Sequence, residues 1–262
     1  MKIVSLNIWD LPVWFVRDRS ERVGRISDFF HEMDPDIVCL QESFDPDHRV
    51  RLNDFFRSAA YATSNTDVRN RNVLGTKMDT TGGLVTYSKF RVLENVFIPF
   101  RRLFFSPIEA LGQKGILVTL CDTPQGKMRI VNIHLSKGFL YAEAVRIWQL
   151  KRIFAHVRSL GSLPTVMAGD FNQHNLAHNP KFLQLMGEND FVHPEGDMRE
   201  PSYRAENPYV DIGMNKIRRS KRLDYILHNN LAALRFRCDE YRVLRREEPM
   251  SDHDPVVLEL NE

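Results

Sequence analysis

Thr165-Val166-Met167-Ala168-Gly169-Asp170-Phe171-Asn172 runs from a short apolar, β-branched segment straight into a carboxylate and an amide. Its first half has the length and composition of a buried strand, where a carboxylate is costly. Asp170 therefore belongs at the strand end, facing a cleft. The same punctuation recurs along the chain. Ile3-Val4-Ser5-Leu6 ends at Asn7, Ile37-Val38-Cys39-Leu40 at Gln41-Glu42, and a run from Met128 to Leu135 at His134. Two further strands carry Asp224 and the pair Asp252-His253 at their edges. A single strand-end Asp or Asn is usually a turn former or a cap. Six in a fixed order point instead to one polar site.

The 262 residues are 43% hydrophobic, enough for a sizeable core. No repeat, low-complexity tract or linker divides them, so the expectation is one domain over residues 1–262. Lys and Arg number 36 against 34 Asp and Glu, which leaves a weak global field. Lys216, Arg218, Arg219, Lys221 and Arg222 form a local basic run, read first as a solvated loop and second as a contact for phosphates. The three cysteines lie far apart and specify neither a zinc knuckle nor a disulfide framework. No apolar run approaches the ~18 residues of a membrane span, and no basic-then-apolar leader opens the chain. The expected setting is cytoplasmic or peripheral to a membrane; a chain stripped of its leader would look the same, which leaves secretion open.

Apolar residues at helical spacing predict a helix over Arg19 to Met33, with Asp18 and Glu21 as a capping box. Asp45-Pro46 suits the start of a second helix, with Val50, Leu52, Phe55, Phe56 and Ala59 as an imperfect buried stripe. The polar stretch from Tyr61 to Thr81 reads as a long loop. Strands follow over Leu84–Ser88, Val92–Ile98, Gly115–Cys121 and Met128–Leu135, a succession that favours antiparallel pairing. A helix from Ala142 to Leu160 stops at Gly161, and a loop-rich segment from Asn175 to Arg222 holds one short helix near Phe182 to Met186. The last strands are Leu223–His228, Leu234–Val243 and Val256–Leu260.

Glu42, Asp170, Asp224 and Asp252 supply hard anionic oxygens, and soft ligands are missing. That inventory suits magnesium, with manganese as substitute, because magnesium prefers oxygen and shares its shell with substrate phosphate. Glu42 is the leading metal ligand, supported by Asn7 and Asp252, either of which could instead hydrogen-bond to the ligands or to bound water. His134 and His253, alone among nine histidines, stand at strand ends in polar company. His253 with Asp224 makes a general-base pair. His134 and Asn172 would contact the phosphate and stabilise its developing charge, while Asp170 orients water. Phe97, Phe100, Leu103, Phe104 and Phe105 beside Arg101 and Arg102 suit either interfacial docking or a strand and loop packed on the domain. Trp9, Trp14 and Phe15 are read chiefly as packing, with a lipid tail or quaternary ammonium as the other use.

Taken together, Asn7, Gln41-Glu42, His134-Leu135, Gly169-Asp170-Phe171-Asn172, Asp224-Tyr225 and Ser251-Asp252-His253 resemble the endonuclease/exonuclease/phosphatase superfamily along nearly the whole chain. The resemblance implies an α+β, four-layer αββα sandwich, with two mixed, mostly antiparallel sheets flanked by helices. It also implies a divalent metal and attack of water on a phosphoester. Ser5-Leu6-Asn7-Ile8-Trp9-Asp10-Leu11-Pro12, followed by Arg22 to Phe30, is similar to the opening of neutral sphingomyelinases. Gly82-Gly83-Leu84-Val85, Ser88-Lys89, Lys114-Gly115 and Arg146 with Gln149-Leu150 extend that likeness. The animal type adds a membrane-spanning region and the bacterial type a leader, and neither is expected from these 262 residues. The implied activity is a phospholipid phosphodiesterase, a monomer working at a membrane surface without an evident protein partner. A DNA-directed phosphodiesterase, such as an abasic-site endonuclease, is the second reading, and a non-enzymatic lipid-binding module the third.

Overall fold

Strand residues alternate between two apolar faces, and that alternation organises the chain. The computed structural model describes residues 1–64, 70–73, 75–100, 112–138, 141–194, 200–210 and 219–261. In β1 (Lys2–Asp10), Val4, Leu6 and Ile8 pack one way and Ile3 the other; in β2 (Ile37–Ser43), Val38 and Leu40 oppose Ile37 and Cys39. These two strands pair in parallel. They are joined by β3 (Ala62–Ser64), β6 (Val85–Ser88), β13 (Arg237–Val243) and β14 (Val256–Asn261) in a six-stranded sheet of order β13-β14-β1-β2-β6-β3. The second sheet, β11-β12-β10-β9-β8-β7, is built from β7 (Arg91–Pro99), β8 (Gly115–Thr123), β9 (Gly126–His134), β10 (Thr165–Asp170), β11 (Phe191–Val192) and β12 (Asp224–Asn229). There β9 and β10 are parallel and the other pairs antiparallel.

The sheets meet through Ile3, Ile37, Cys39, Ile130, Val166, Ala168 and Ile226, all buried. On the outer face of the first sheet lie α1 (Arg19–Met33), with Val23, Ile26, Phe29 and Phe30, and α2 (Pro46–Ser58), with Leu52 and Phe56. The second sheet is covered by α3 (Ala142–Ser159) and α4 (Pro180–Gly187), through Leu150, Ile153, Phe154, Phe182 and Met186. Each such side chain contributes ~1.5–3 kcal/mol on burial. The result is the expected α+β, four-layer sandwich with mixed, mostly antiparallel sheets.

Local expectations fared unevenly. The Asp45 carboxylate caps α2 by accepting from the backbone N–H groups of Asp47 and His48. Asp18 is left-handed (φ 53°) and its side chain makes no capping bond, so the proposed box does not form. The stretch from Tyr61 to Thr81 is not all loop. It holds β3 and the separate two-stranded ribbon of β4 (Asn70–Val73) and β5 (Thr76–Asp79). Arg71, Asn72, Thr76 and Lys77 are exposed on that ribbon, so no apolar alternation marks it. Near the end, α5 (Asn230–Arg235), capped by the Asn229 side chain, occupies the start of the expected Leu234–Val243 strand.

Of the aromatic-basic stretch, Phe100 is buried in the core, whereas residues 101–111 lie outside the described residues. In the basic run, Lys216 and Arg218 also lie outside them. Arg222 is neither solvated nor free for phosphates: it is 1% exposed and donates to the Asp224 and Glu200 carbonyls. Among the described residues, no helix is long and apolar enough to cross a membrane.

Candidate active site

The alternation that builds the core also builds the site. On the inner faces, Ile3, Ser5 and Asn7 of β1 succeed one another, as do Ile130, Asn132 and His134 of β9, and Val166, Ala168 and Asp170 of β10. At one end of the sandwich these faces turn from apolar to polar. Register then sets neighbours: Asp170 lies between His134 on one side and Asp224 on the other. Gly169 permits that approach, since a Cβ there would stand 2.0 Å from the Ile133 carbonyl oxygen.

Alternation would send Glu42 outward, away from Gln41. Instead Glu42 is left-handed (φ 57°), and its Oε1 accepts from Asn7 Nδ2 at 3.2 Å. Asn172 (φ 48°) is similarly strained; its N–H donates to Asp170 Oδ1 at 2.7 Å and its Nδ2 to the Leu135 carbonyl at 2.9 Å. Left-handed non-glycine residues are unfavourable and collect where a site over-determines the backbone. Asn7 Nδ2 also donates to Asp170 Oδ2 at 3.1 Å, while its Oδ1 accepts from Trp9 N–H at 3.0 Å. That bond fixes the amide with nitrogen toward the carboxylates.

His134 Nε2 is 3.6 Å from Glu42 Oε1 and 3.5 Å from Asp170 Oδ2, and both of its ring nitrogens are buried without a hydrogen bond. Burial, reinforced by the charges of Lys114 and His253, pushes its pKa well below the usual histidine value. His253 behaves oppositely. Burial alone would lower it, but Asp224, Asp252 and Asp170 raise it well above the usual value. Its Nδ1 meets Asp224 Oδ2 at 2.7 Å, leaving Nε2 4.0 Å from Asp170 Oδ2. Burial and the neighbouring Asp224 charge raise Asp170. Burial, with Glu42 adding and His253 opposing, brings Asp252 to about 6.

The structure thus gathers Asn7, Glu42, His134, Asp170, Asn172, Asp224 and His253 through direct contacts. Asp252 joins Glu42, His134, Asp170, Asn172 and His253 on the wall of one cleft of about 580 Å³, which Asn7 and Asp224 do not line. Glu42, His134 and Asp170 offer ligand atoms within 4.8 Å of one another, as do Asp170, Asp224 and His253. Sequence reasoning missed Ser202, whose Oγ donates to Asp224 Oδ2 at 2.6 Å, and Tyr203, whose ring stands edge-on to His253 at 5.0 Å. Both come from the loop-rich segment, which has no period to read. Lys114, Lys137, Arg146 and His174 also line the cleft; only Lys114 and Arg146 carried a signal, through the likeness noted above. Trp9 packs 6.1 Å from Tyr209, whereas Trp14, 94% exposed, lies outside the core and stands edge-on to the Phe15 ring at 5.7 Å.

A family model described as "Endonuclease/Exonuclease/phosphatase family" matches residues 4–253. Comparison with curated proteins gives no significant match. Sphingomyelinase C from Streptomyces griseocarneus is 18% identical with a TM-score of 0.73, covering 98% of each chain. A beta toxin double mutant from Staphylococcus aureus, with bound magnesium ions, is 15% identical at TM-score 0.71 and covers 98% of each. D. rerio TDP2, complexed with a single strand DNA product, is 14% identical at TM-score 0.69 and covers 100% of this chain and 99% of its own.

Proposed function

The chain belongs to the endonuclease/exonuclease/phosphatase family, and from that premise we propose that it is a metal-dependent phosphodiesterase that splits sphingomyelin into ceramide and phosphocholine. The observation that carries the hydrolytic part is the convergence of two carboxylates, Glu42 and Asp170, on one buried imidazole, His134, beside the paired Asp224 and His253. The lipid part rests on the sphingomyelinase-like opening around Asn7 and on the exposed Trp14 and Phe15 at 94% and 37%. Phe15 lines the cleft.

The donor set fits a hard divalent cation such as magnesium. Glu42 Oε1 accepts from Asn7 Nδ2 and keeps oxygen lone pairs for an ion, whereas Asp170 Oδ2 accepts from both Asn7 Nδ2 and Asn172 Nδ2, at 3.1 and 3.2 Å. Glu42 is the anchor, Asp252 a support, and Asn7 an orienter, because its oxygen is already engaged by Trp9 N–H. An ion held there would supply positive charge for the phosphate oxygens and would offset the carboxylates that raise the His253 pKa.

In the proposed reaction, His253 Nε2 takes a proton from water, and the water oxygen bonds to phosphorus as the phosphorus–oxygen bond to ceramide breaks. The released alkoxide takes up a proton. Asp224 holds Nδ1–H and steadies the imidazolium. Asp170 and Asn172 orient water and phosphate in line, and His134 faces the charge that gathers on the phosphoryl oxygens.

The second reading, a DNA-directed phosphodiesterase, has the fold likeness to TDP2 behind it. Purified protein is tested with magnesium and with chelator against sphingomyelin vesicles, lysophospholipids and an abasic duplex. Release of phosphocholine from vesicles in magnesium alone supports the proposal. Cleavage of the duplex alone sinks the lipid reading, and equal rates in chelator sink the metal.

A further inference from the structure

Between Asn7 and Asp10 the β1–β2 ladder slips: Asn7 pairs with Gln41 and Asp10 with Ser43, so three steps on β1 span two on β2. The extra residue makes a bulge at Ile8-Trp9, opposite Glu42. Both flanks are strained, with Trp9 at φ 48° and Glu42 at φ 57°. Bulges re-aim side chains, and they sit beside active sites for that reason. This one carries the Trp9 N–H that pins Asn7 Oδ1.

Arg22 of α1 lies beneath the bulge, 1% exposed and without a carboxylate in ion-pair contact among the described residues. A buried guanidinium needs acceptors, and carbonyls supply them. Nη1 donates to the Ile8 carbonyl at 2.7 Å, Nη2 to the Trp9 carbonyl at 2.9 Å, and Nε to the Arg17 carbonyl at 3.0 Å. Nη1 also reaches the Met250 carbonyl at 3.4 Å. The next residue, Ser251, donates through Oγ to the Asn7 carbonyl at 2.6 Å and precedes Asp252. The rings of Trp9 and Tyr209 lie 5.0 and 5.3 Å from the guanidinium carbon.

The geometry points to Arg22 as a positioning residue: its planar fork holds the Trp9 bulge and the Met250 turn together, and so sets Asn7 and Asp252 against Glu42 and Asp170. The inference rests on the proposed reading of those four residues as a metal and phosphate site. Lysine would keep the charge but lose the fork, since an ammonium has no fixed plane of donors. Structural support alone would make Arg22→Lys a general destabilisation; positioning makes it a local one.

The test uses the full chain without metal, then with magnesium. Amide exchange in the metal-free protein should show Trp9 protection falling at least tenfold in Arg22→Lys, while amides of Phe29 in α1 and Leu258 in β14 keep theirs. With magnesium, kcat on sphingomyelin, the proposed substrate, should fall at least tenfold with KM within twofold, and the magnesium Kd should rise. Unchanged Trp9 exchange and kcat overturn the inference, and so does an equal loss of protection at all three amides. Should Arg22→Lys fail to fold, Tyr209→Leu decides: a folded variant with Trp9 exchange raised about threefold supports positioning, and wild-type exchange overturns it. Because the exchange readout needs no substrate, it can fail while the proposed activity stands, and the reverse.

Discussion

The two ends of the β9–β10 pair hold similar polar residues and treat them differently. At one end Arg129 pairs with Thr165; at the other His134 pairs with Asp170, in the same parallel register. The Arg129 guanidinium is 4% exposed and donates to the Leu160 and Gly161 carbonyls at 2.9 and 3.2 Å. Asn229 closes the same corner, accepting from Thr165 N–H and donating to the Leu163 carbonyl, both at 2.9 Å. At the His134 end, two ring nitrogens and Asp224 Oδ1 are buried without partners, and three carboxylates crowd His253. Unmet buried polar atoms cost stability. At one corner these polar groups are thus satisfied within the chain, and the other keeps unpaired capacity for a ligand.

That contrast can be broken most severely at Asp224. Asp224→Asn should lower kcat by about 10²–10⁴-fold with KM little changed, because the amide neither fixes the His253 tautomer nor steadies its cation; a steady-state series on one substrate checks it. Asp252→Asn sharpens the energetic side. The Asp252 carboxyl titrates near 6 in the folded chain against 3.8 as a free group. The folded protein thus holds this proton more tightly than the unfolded chain, so ionisation costs stability, fully above pH 6 and not below pH 3.8. The variant should gain ~1–3 kcal/mol at pH 7 without metal, and the gain should vanish near pH 4. Urea unfolding across that range reads it, and parallel curves would contradict it.

Arg129→Ala probes the satisfied corner. It should lose ~1–3 kcal/mol of unfolding free energy while kcat stays at the wild-type value. A fall in kcat without a fall in stability would erase the distinction between the ends. The smallest effect is expected at the rim: Trp14→Ala should slow vesicle hydrolysis by about threefold and leave a water-soluble phosphodiester unaffected.

The satisfied corner was invisible in the sequence, whereas much of the reactive one was legible. Buried strands are β-branched runs, and a polar residue ending one is conspicuous, which is how Asn7, His134, Asp170 and Asp224 were found. Periodicity alone would have lost Glu42, since alternation aims it outward until its left-handed backbone turns it back. Ser202 and Tyr203 lie in irregular backbone, where contact depends on tertiary closure. Arg22 was hidden for another reason: on a helix face of Val23, Ile26 and Phe30, a charge reads as solvent-facing, and only the carbonyls of the bulge explain its burial. The β4–β5 ribbon escaped because Arg71, Asn72, Thr76 and Lys77 face water and leave no apolar alternation to read.

The most direct measurement compares wild type with Glu42→Gln for hydrolysis of sphingomyelin vesicles across a magnesium titration. The account predicts that wild-type turnover rises with magnesium and disappears in chelator, and that the variant is slower by about 10³-fold at saturation. A variant that turns over as fast as wild type, with the same magnesium dependence, would contradict it.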